Sequence, residues 1–395
     1  RSTVKLGRAR QVSRVVLATR VFAPEPAAAA LRLRGLAHAL AMDGHDVTVL
    51  TSRFGSLRGS VTDEGVLIKR FPVLRDSAGA VRGYAQYMSF DIPLFFRLLT
   101  CRRPDAVVVE PPPTTGSVAR IACSLRRIPY VYYACDILSD AAEAEHMKPL
   151  VVRVLRSIER FALTGAERVI AVSEGVAQRA RELGAVNVSV VPNGVQTQEL
   201  LDRTPLPDGF PHAGGPVYLY AGTASSLQSP DAFIRAFPRV KTVFPKAVLV
   251  FLGQGNAWDD LVELGRAAST DIVFHEPVPP DQAQRWYASA DVSLASIRPG
   301  GYDYAYPTKI LVSLAQGTPV VYIGQGPPAN DIRNSGLGRT AGFSPDEVAD
   351  AMIQAGNMAM HREAGERERL RQWVISHRSL PATSRRAAQV VAQAF

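Results

Sequence analysis

The stretch RVVLATRVFAPEPAAAALRLRGLAHALAMDGHDVTVLT, residues 14–51, decides the fold. Its first part, Val15–Thr19, is a short apolar run of the kind that forms a buried strand. Residues 22–26, FAPEP, carry two prolines and end that strand. Residues 27–42 are dense in Ala, Leu and Arg, the composition of a helix, and Gly44 stops it. DVTVLT at 46–51 is the next strand. Two apolar strands without strict alternation, joined through an amphipathic helix, indicate a parallel sheet covered on both faces.

The alternation continues outward. Val66–Phe71, Ala106–Glu110, Val131–Ala134, Val169–Ser173 and Val188–Val191 read as strands, with helices near 116–127, 150–163 and 175–183. The rhythm breaks at 204–216, TPLPDGFPHAGGP, whose Pro and Gly fit neither element and predict a hinge. A second series follows, with strands at 217–221, 248–252, 272–275, 292–295 and 320–323. Its helices fall at 229–244, 281–289 and 307–315. The reading is α/β: two Rossmann-like, doubly wound parallel-sheet domains facing a cleft. Its bounds are a basic leader at 1–13, a first domain at 14–205, a linker at 206–215, a second domain at 216–362, and helices at 363–395 that cross back to the first domain.

Length agrees, because 395 residues make two domains of ordinary size. Hydrophobic residues at 47% and charged residues at 21% exclude a disordered chain. Cys101, Cys123 and Cys135 form no CxxC pair, which argues against a disulfide framework or zinc site and for a reducing compartment. No apolar run reaches the roughly 18 residues of a membrane span, and the basic N-terminus lacks the apolar core of a secretory signal. The expectation is a cytoplasmic protein.

The charge is one-sided. Residues 1–135 hold 20 Lys and Arg against 9 Asp and Glu, a net +11, whereas residues 206–395 balance at 17 against 17. A basic first third fits an anionic partner, such as a membrane surface or a phosphorylated substrate. The basic, aromatic stretch 84–103 (YAQYMSFDIPLFFRLLTCRR) sharpens that expectation, with Pro93 predicted to split it into two short helices. Core packing explains most of its apolar residues and is the simpler reading. A nucleic-acid partner is not expected, since the basic half lacks the interleaved aromatics of a known binding module.

Open parallel sheets bind ligands beyond the carboxyl ends of their strands. Three such loops in the second domain suit a nucleoside diphosphate. Residues 221–228, AGTASSLQ, bring Gly222 for close backbone approach and Thr223 and Ser225 as hydroxyl donors. Gly253-Gln254-Gly255 is a short Gly pair, too incomplete for a dinucleotide fingerprint, which disfavours a dehydrogenase. Residues 299–309, PGGYDYAYPTK, place Pro307 and Thr308 at a helix start with Lys309 beside them, where free amides, the helix dipole and a full charge converge on one anion. Tyr302 and Asp303 belong to the same loop, and Arg298 precedes it.

These segments together resemble the retaining, nucleotide-sugar-dependent glycosyltransferases of the GT-B fold, of the bacterial family-4 type. Residues 22–53 look like the acceptor-side opening of that family. Residues 166–195, ending in Pro192-Asn193-Gly194-Val195, look like its interdomain approach. TDIVFHEPVPPDQAQRWYASADVSL and YPTKILVSLAQGTPVV resemble its nucleotide-binding half. The likeness places the nucleotide base against Glu276, Pro277 and Val278. It assigns Glu25, Pro26 and Ala27 to the acceptor side, with Glu110 and Thr114 bordering the cleft from the end of a strand. Asp136 stands where the subgroup often has an Asp, as a cleft-facing group; a helix cap is the equally simple reading.

Two departures from the family pattern matter. The usual pair of Glu separated by seven residues is here Tyr304 and Val312, so neither reaction centre nor ribose meets a carboxylate there. Members with a PSK-type helix start share this loss, and Pro307-Thr308-Lys309 resembles them. The basic pair of the first loop is replaced by Thr223 and Ser229, which leaves Lys309, then Arg298, as the phosphate contacts. The resemblance implies transfer of a sugar from a nucleoside diphosphate sugar to a hydroxyl acceptor, sugar, lipid-linked or small, with the anomeric configuration retained. Asp136, Tyr304 and Lys309 are then the candidates for the reaction centre, and neither a cofactor nor a metal is expected. Rival readings are a nucleotide-sugar epimerase and a non-catalytic paralogue.

Overall fold

The computed structural model describes residues 12–395 except 26, 77–80, 82, 145, 146, 198, 213, 226, 256, 270 and 301–304. Two units result. One comprises the chain up to Gly194 together with Leu380–Phe395, the other Val195–Ser379.

The first unit runs β1 (Arg14–Ala18), α1 (Ala28–Met42), β2 (Asp46–Ser52), β3 (Gly59–Asp63), β4 (Val66–Phe71), α2 (Tyr84–Thr100), β5 (Ala106–Val109), α3 (Pro113–Arg126), β6 (Tyr130–Ala134), α4 (Leu138–Ala144), α5 (Pro149–Thr164), β7 (Arg168–Ala171), α6 (Glu174–Glu182) and β8 (Val188–Val190). Its sheet order is β3-β4-β2-β1-β5-β6-β7-β8, parallel except for β3. Strands β5 and β6 are buried at every residue, as a sheet covered on both faces requires. The strand order reverses between β1 and β5, so the loops after these strands share one switch point.

The second unit runs β9 (Val217–Thr223), α7 (Asp231–Val243), β10 (Val248–Gln254), α8 (Trp258–Ala268), β11 (Ile272–His275), α9 (Pro280–Ser289), β12 (Val292–Ser296), α10 (Thr308–Ala315), β13 (Val320–Ile323), α11 (Pro327–Ser335), β14 (Gly338–Ala341), α12 (Pro345–Met360) and α13 (Glu366–His377). Its order is β11-β10-β9-β12-β13-β14, all parallel, with the switch point between β9 and β12. The last helix, α14 (Leu380–Ala392), returns to the first unit and packs on α1.

Three expectations change. The Pro-rich segment 204–216 is no free hinge. Phe210 is buried against Trp286, ring centroids 5.4 Å apart, and Arg203 meets Asp291 at 2.6 Å. That anchorage puts the segment in the second unit and moves the boundary to Gly194–Val195. The terminal block divides as well: α13 stays with the second unit, and only Leu380–Phe395 joins the first. Pro93 does not split α2, a single 17-residue helix, because Phe90, Leu94 and Leu98 are buried along one side and hold both halves on one core. Tertiary burial outweighs the roughly 3 kcal/mol cost of an interior proline.

The Pro192-Asn193-Gly194 segment gains a physical reason. A side chain on Gly194 would lie 2.3 Å from Thr383 Oγ1 and 2.6 Å from the Leu380 backbone, so glycine lets α14 seat against it. Asn193 Oδ1 accepts from Arg32 Nη1 at 3.1 Å.

Candidate functional site

At the switch point of the second unit, β9, β10, α9 and the start of α10 line an open cavity of about 550 Å³. The pairing of β9 with β10 continues through Gly222–Gly253 and Thr223–Gln254, carrying both loops forward together. A side chain at Gly253 would lie 2.0 Å from the Gly222 carbonyl oxygen, and one at Gly255 would lie 1.9 Å from that of Ala224. The Gly-Gln-Gly segment therefore lets two backbones touch. Of the two glycines, Gly253 is on the cavity wall.

Lys309, in the first turn of α10, lines the cavity. Its Nζ is shut off from water, has no hydrogen-bond partner, and lies 3.6 Å from the centroid of the Tyr220 ring. Burial pushes its amine down to about 7, because an ammonium without water or a counter-ion is costly. No side chain caps the N-terminus of α10, which follows Pro307. The uncapped helix end and the lysine stem line the cavity, with the amine tucked behind that wall over Tyr220, so an anion received at the helix end would have a cation close by. Gly222 has φ +118°, a conformation that favours glycine, and a Cβ there would be in ordinary contact with Lys309, Cε at 3.4 Å and Nζ at 3.5 Å.

Thr223 and Thr308 share the wall with Lys309, and Pro277 and Val278 form its far side. Val312 gives it an apolar patch, while Gln254 and Gln284 supply polar groups. Other residues named from sequence fall elsewhere. Glu276 is exposed beside the cavity. Ser225 lines a neighbouring cavity. Arg298 turns away to donate to Ser229 Oγ at 2.8 Å and lines a separate cavity of about 850 Å³ with Arg333 and Arg339. Its own backbone amide, bonded to Leu227, fixes that direction. Tyr302, Asp303 and Tyr304 lie outside the described residues, as does Pro26.

In the first unit, Glu110 is no open group at the end of β5. It accepts from Thr19 Oγ1 at 2.6 Å and from Arg32 Nη2 at 3.2 Å, and both members of the ion pair are buried. Arg32 also stacks over Tyr133, 5.0 Å from the ring centroid. Sequence reading passed over Arg32, although it sits on the apolar stripe of α1 with Leu36 and Leu40, where a cation needs a partner. Glu25 pairs with Arg75 at 2.8 and 3.2 Å, and Ala27 is the N-cap of α1. Thr114 Oγ1 is buried without a partner, while its neighbour Thr115 donates to the buried Asp91 at 2.6 Å.

Asp136 is exposed just beyond β6 and does not cap α4. That task falls to Glu159, whose carboxylate accepts from the amides of Leu138 at 2.8 Å and Ser139 at 3.0 Å. Asp136 Oδ1 instead accepts from Cys135 Sγ at 3.6 Å, and the residue stays exposed. Burial pushes the Cys135 thiol up to about 12, with Asp136 adding to the shift. At pH 8 the raised thiol is expected to make iodoacetamide alkylate Cys135 more slowly than a free cysteine, and labelling at the free rate would contradict that shift.

Residues 27–194 match the family described as "Glycosyl transferase 4-like domain", and residues 215–357 match "Glycosyl transferases group 1". The chain belongs to the family-4-type glycosyltransferases. Solved structures share the GT-B fold of this glycosyltransferase over nearly its whole length. HepE of Anabaena in complex with UDP superposes with a TM-score of 0.69 at 15% identity, covering 97% of this chain and 100% of that one. WaaG, a glycosyltransferase involved in lipopolysaccharide biosynthesis, gives 0.62 at 14%, with 95% and 99% covered. Sucrose-phosphate synthase from Thermosynechococcus elongatus gives 0.65 at 13%, with 96% and 98% covered. No curated protein matches this glycosyltransferase by sequence.

Proposed function

We propose that this glycosyltransferase takes its sugar from a nucleoside diphosphate sugar held on the second unit, and passes it to a hydroxyl acceptor with retention and without a metal. One observation carries the reading: the uncapped start of α10 on the wall of the 550 Å³ cavity, with the unpartnered Lys309 amine buried just behind it over Tyr220. That volume suits a nucleotide. The diphosphate lies against Gly222, Thr308 and Lys309, and the base against Pro277 and Val278.

Negative charge builds on the leaving diphosphate as the anomeric carbon becomes cation-like. A preorganised amine and helix end stabilise that charge as it develops. The leaving phosphate takes the acceptor proton on the same face, which retains configuration. Val312 gives the ribose no carboxylate, so its hydroxyls fall to Gln254 or Gln284. Asp136 and Tyr304 serve the acceptor and sugar side. WaaG's place in lipopolysaccharide biosynthesis favours cell-envelope glycan or glycolipid assembly on the cytoplasmic side of a bacterial membrane over natural-product glycosylation.

Incubation with UDP-, GDP-, ADP- and TDP-sugars, without acceptor, tests the reading. Slow release of one nucleoside diphosphate is expected, and an α-sugar donor should yield the α-anomer of product. Binding without release would make the chain a non-catalytic paralogue.

A further inference from the structure

Helices α2, α3 and α5 lie side by side on one face of the first unit, α2 against α3 and α3 against α5. Each buries one side and exposes apolar residues on the other. Ile92 and Phe96 stand opposite the buried Phe90, Leu94 and Leu98 of α2. Ile121 and Leu125 stand opposite the buried Ala119, Ala122 and Cys123 of α3. On α5, Leu150, Val154 and Phe161 recur at helical spacing, away from the buried Val152, Ala162 and Leu163. These seven outward side chains are between 40% and 67% exposed, an apolar surface larger than isolated residues make on an ordinary water-facing helix layer.

The charge on this face is predominantly basic, although Asp105 and Glu167 are exposed beyond the ends of α2 and α5. The acids of the three helices are Asp91 and Glu159, and both are buried. Arg153 and Arg160 are exposed along α5, and Arg102, Arg103, Arg127 and Lys148 are exposed at the helix ends. Arg120 lies over the Phe161 ring, 4.1 Å from its centroid, joining cation and aromatic. Glu143, at the margin, is paired with Arg156 at 2.5 Å.

We infer that this face is a docking surface for an anionic lipid bilayer. Charge complementarity selects that occupant: exposed apolar side chains enter the interface while the surrounding guanidinium groups meet lipid phosphates. Among the described residues no helix is long and apolar enough to cross a membrane, so the contact lies in the plane of the surface. The inference goes beyond the transferase reading, since docking needs neither donor nor turnover.

Vesicle co-sedimentation of the full chain tests it. Phosphatidylcholine vesicles with about 30% phosphatidylglycerol at 0.1 M salt are expected to retain about tenfold more protein than pure phosphatidylcholine, and to release most of it at 0.5 M salt. Phe96→Ser with Val154→Ser should cut retention about tenfold. Arg153→Glu with Arg160→Glu, which touches no apolar group, should do the same. Equal retention by neutral and anionic vesicles, or none by either, overturns the inference. So does unchanged binding of the charge variant. A concentration-dependent dimer abolished by the serine pair would give the face to a second copy and overturn it too.

Discussion

Replacing Lys309 with Met is expected to weaken nucleoside diphosphate binding by about 1.5–3 kcal/mol and, at the same time, to stabilise the ligand-free protein. Both effects come from one fact, a buried amine with no partner over Tyr220. The free Lys titrates near 10.4, against about 7 here. Between these values the unfolded chain holds a proton that the folded one has released, so stability rises with pH across that window. Lys309 therefore costs most at and below about pH 7, and its cost fades toward pH 10. Urea midpoints of parent and Lys309→Met should differ clearly at pH 6.5 and converge by pH 9.5. The bound diphosphate restores the favoured charge, so binding above pH 7 should take up a proton. Calorimetry in buffers of different ionisation heat reads that uptake. An unchanged dissociation constant for Lys309→Met removes this residue from the site.

Arg32→Met is expected to destabilise the first unit by about 3–5 kcal/mol, because it strands the buried Glu110 carboxylate. Arg32 and Glu110 are only 9% and 6% exposed at the side chain, and they bind α1 to the end of β5. The same Arg reaches Asn193 before the crossing at Gly194, so its loss loosens three segments at once. Pairing Arg32→Met with Glu110→Leu should restore most of the loss, since a matched apolar pair leaves no buried charge. Denaturant midpoints of the two single variants and the double variant decide it. A double variant no better than Arg32→Met would mean that the pair acts through its contacts to Thr19 and Asn193 rather than through charge.

How much was legible in the sequence depended on burial. The parallel strands stood out because covered strands are apolar throughout, as in β5 and β6. Strand β3 did not, because four of its five residues are exposed and it rests on the two-residue turn at Glu64-Gly65, both with positive φ. Pro93 and the segment 204–216 misled for one reason: proline and glycine report local backbone preference, whereas Phe90, Leu94 and Phe210 report the packing that overrides it.

In the site, loop position was enough to bring Gly222, Thr223, Thr308 and Lys309 to one cavity. Arg298 escaped the same logic because its direction follows from contacts invisible in one dimension, its amide to Leu227 and its guanidinium to Ser229. Glu159 was hidden by distance along the chain, since it caps a helix 20 residues before it.

The most direct test of the account is a structure of the protein with a bound nucleoside diphosphate. The phosphates should lie beside Lys309 Nζ, the Gly222 backbone and the first turn of α10, with the base against Pro277 and Val278. A nucleotide held mainly by residues of 20–140, with the Lys309 cavity left vacant, would contradict it.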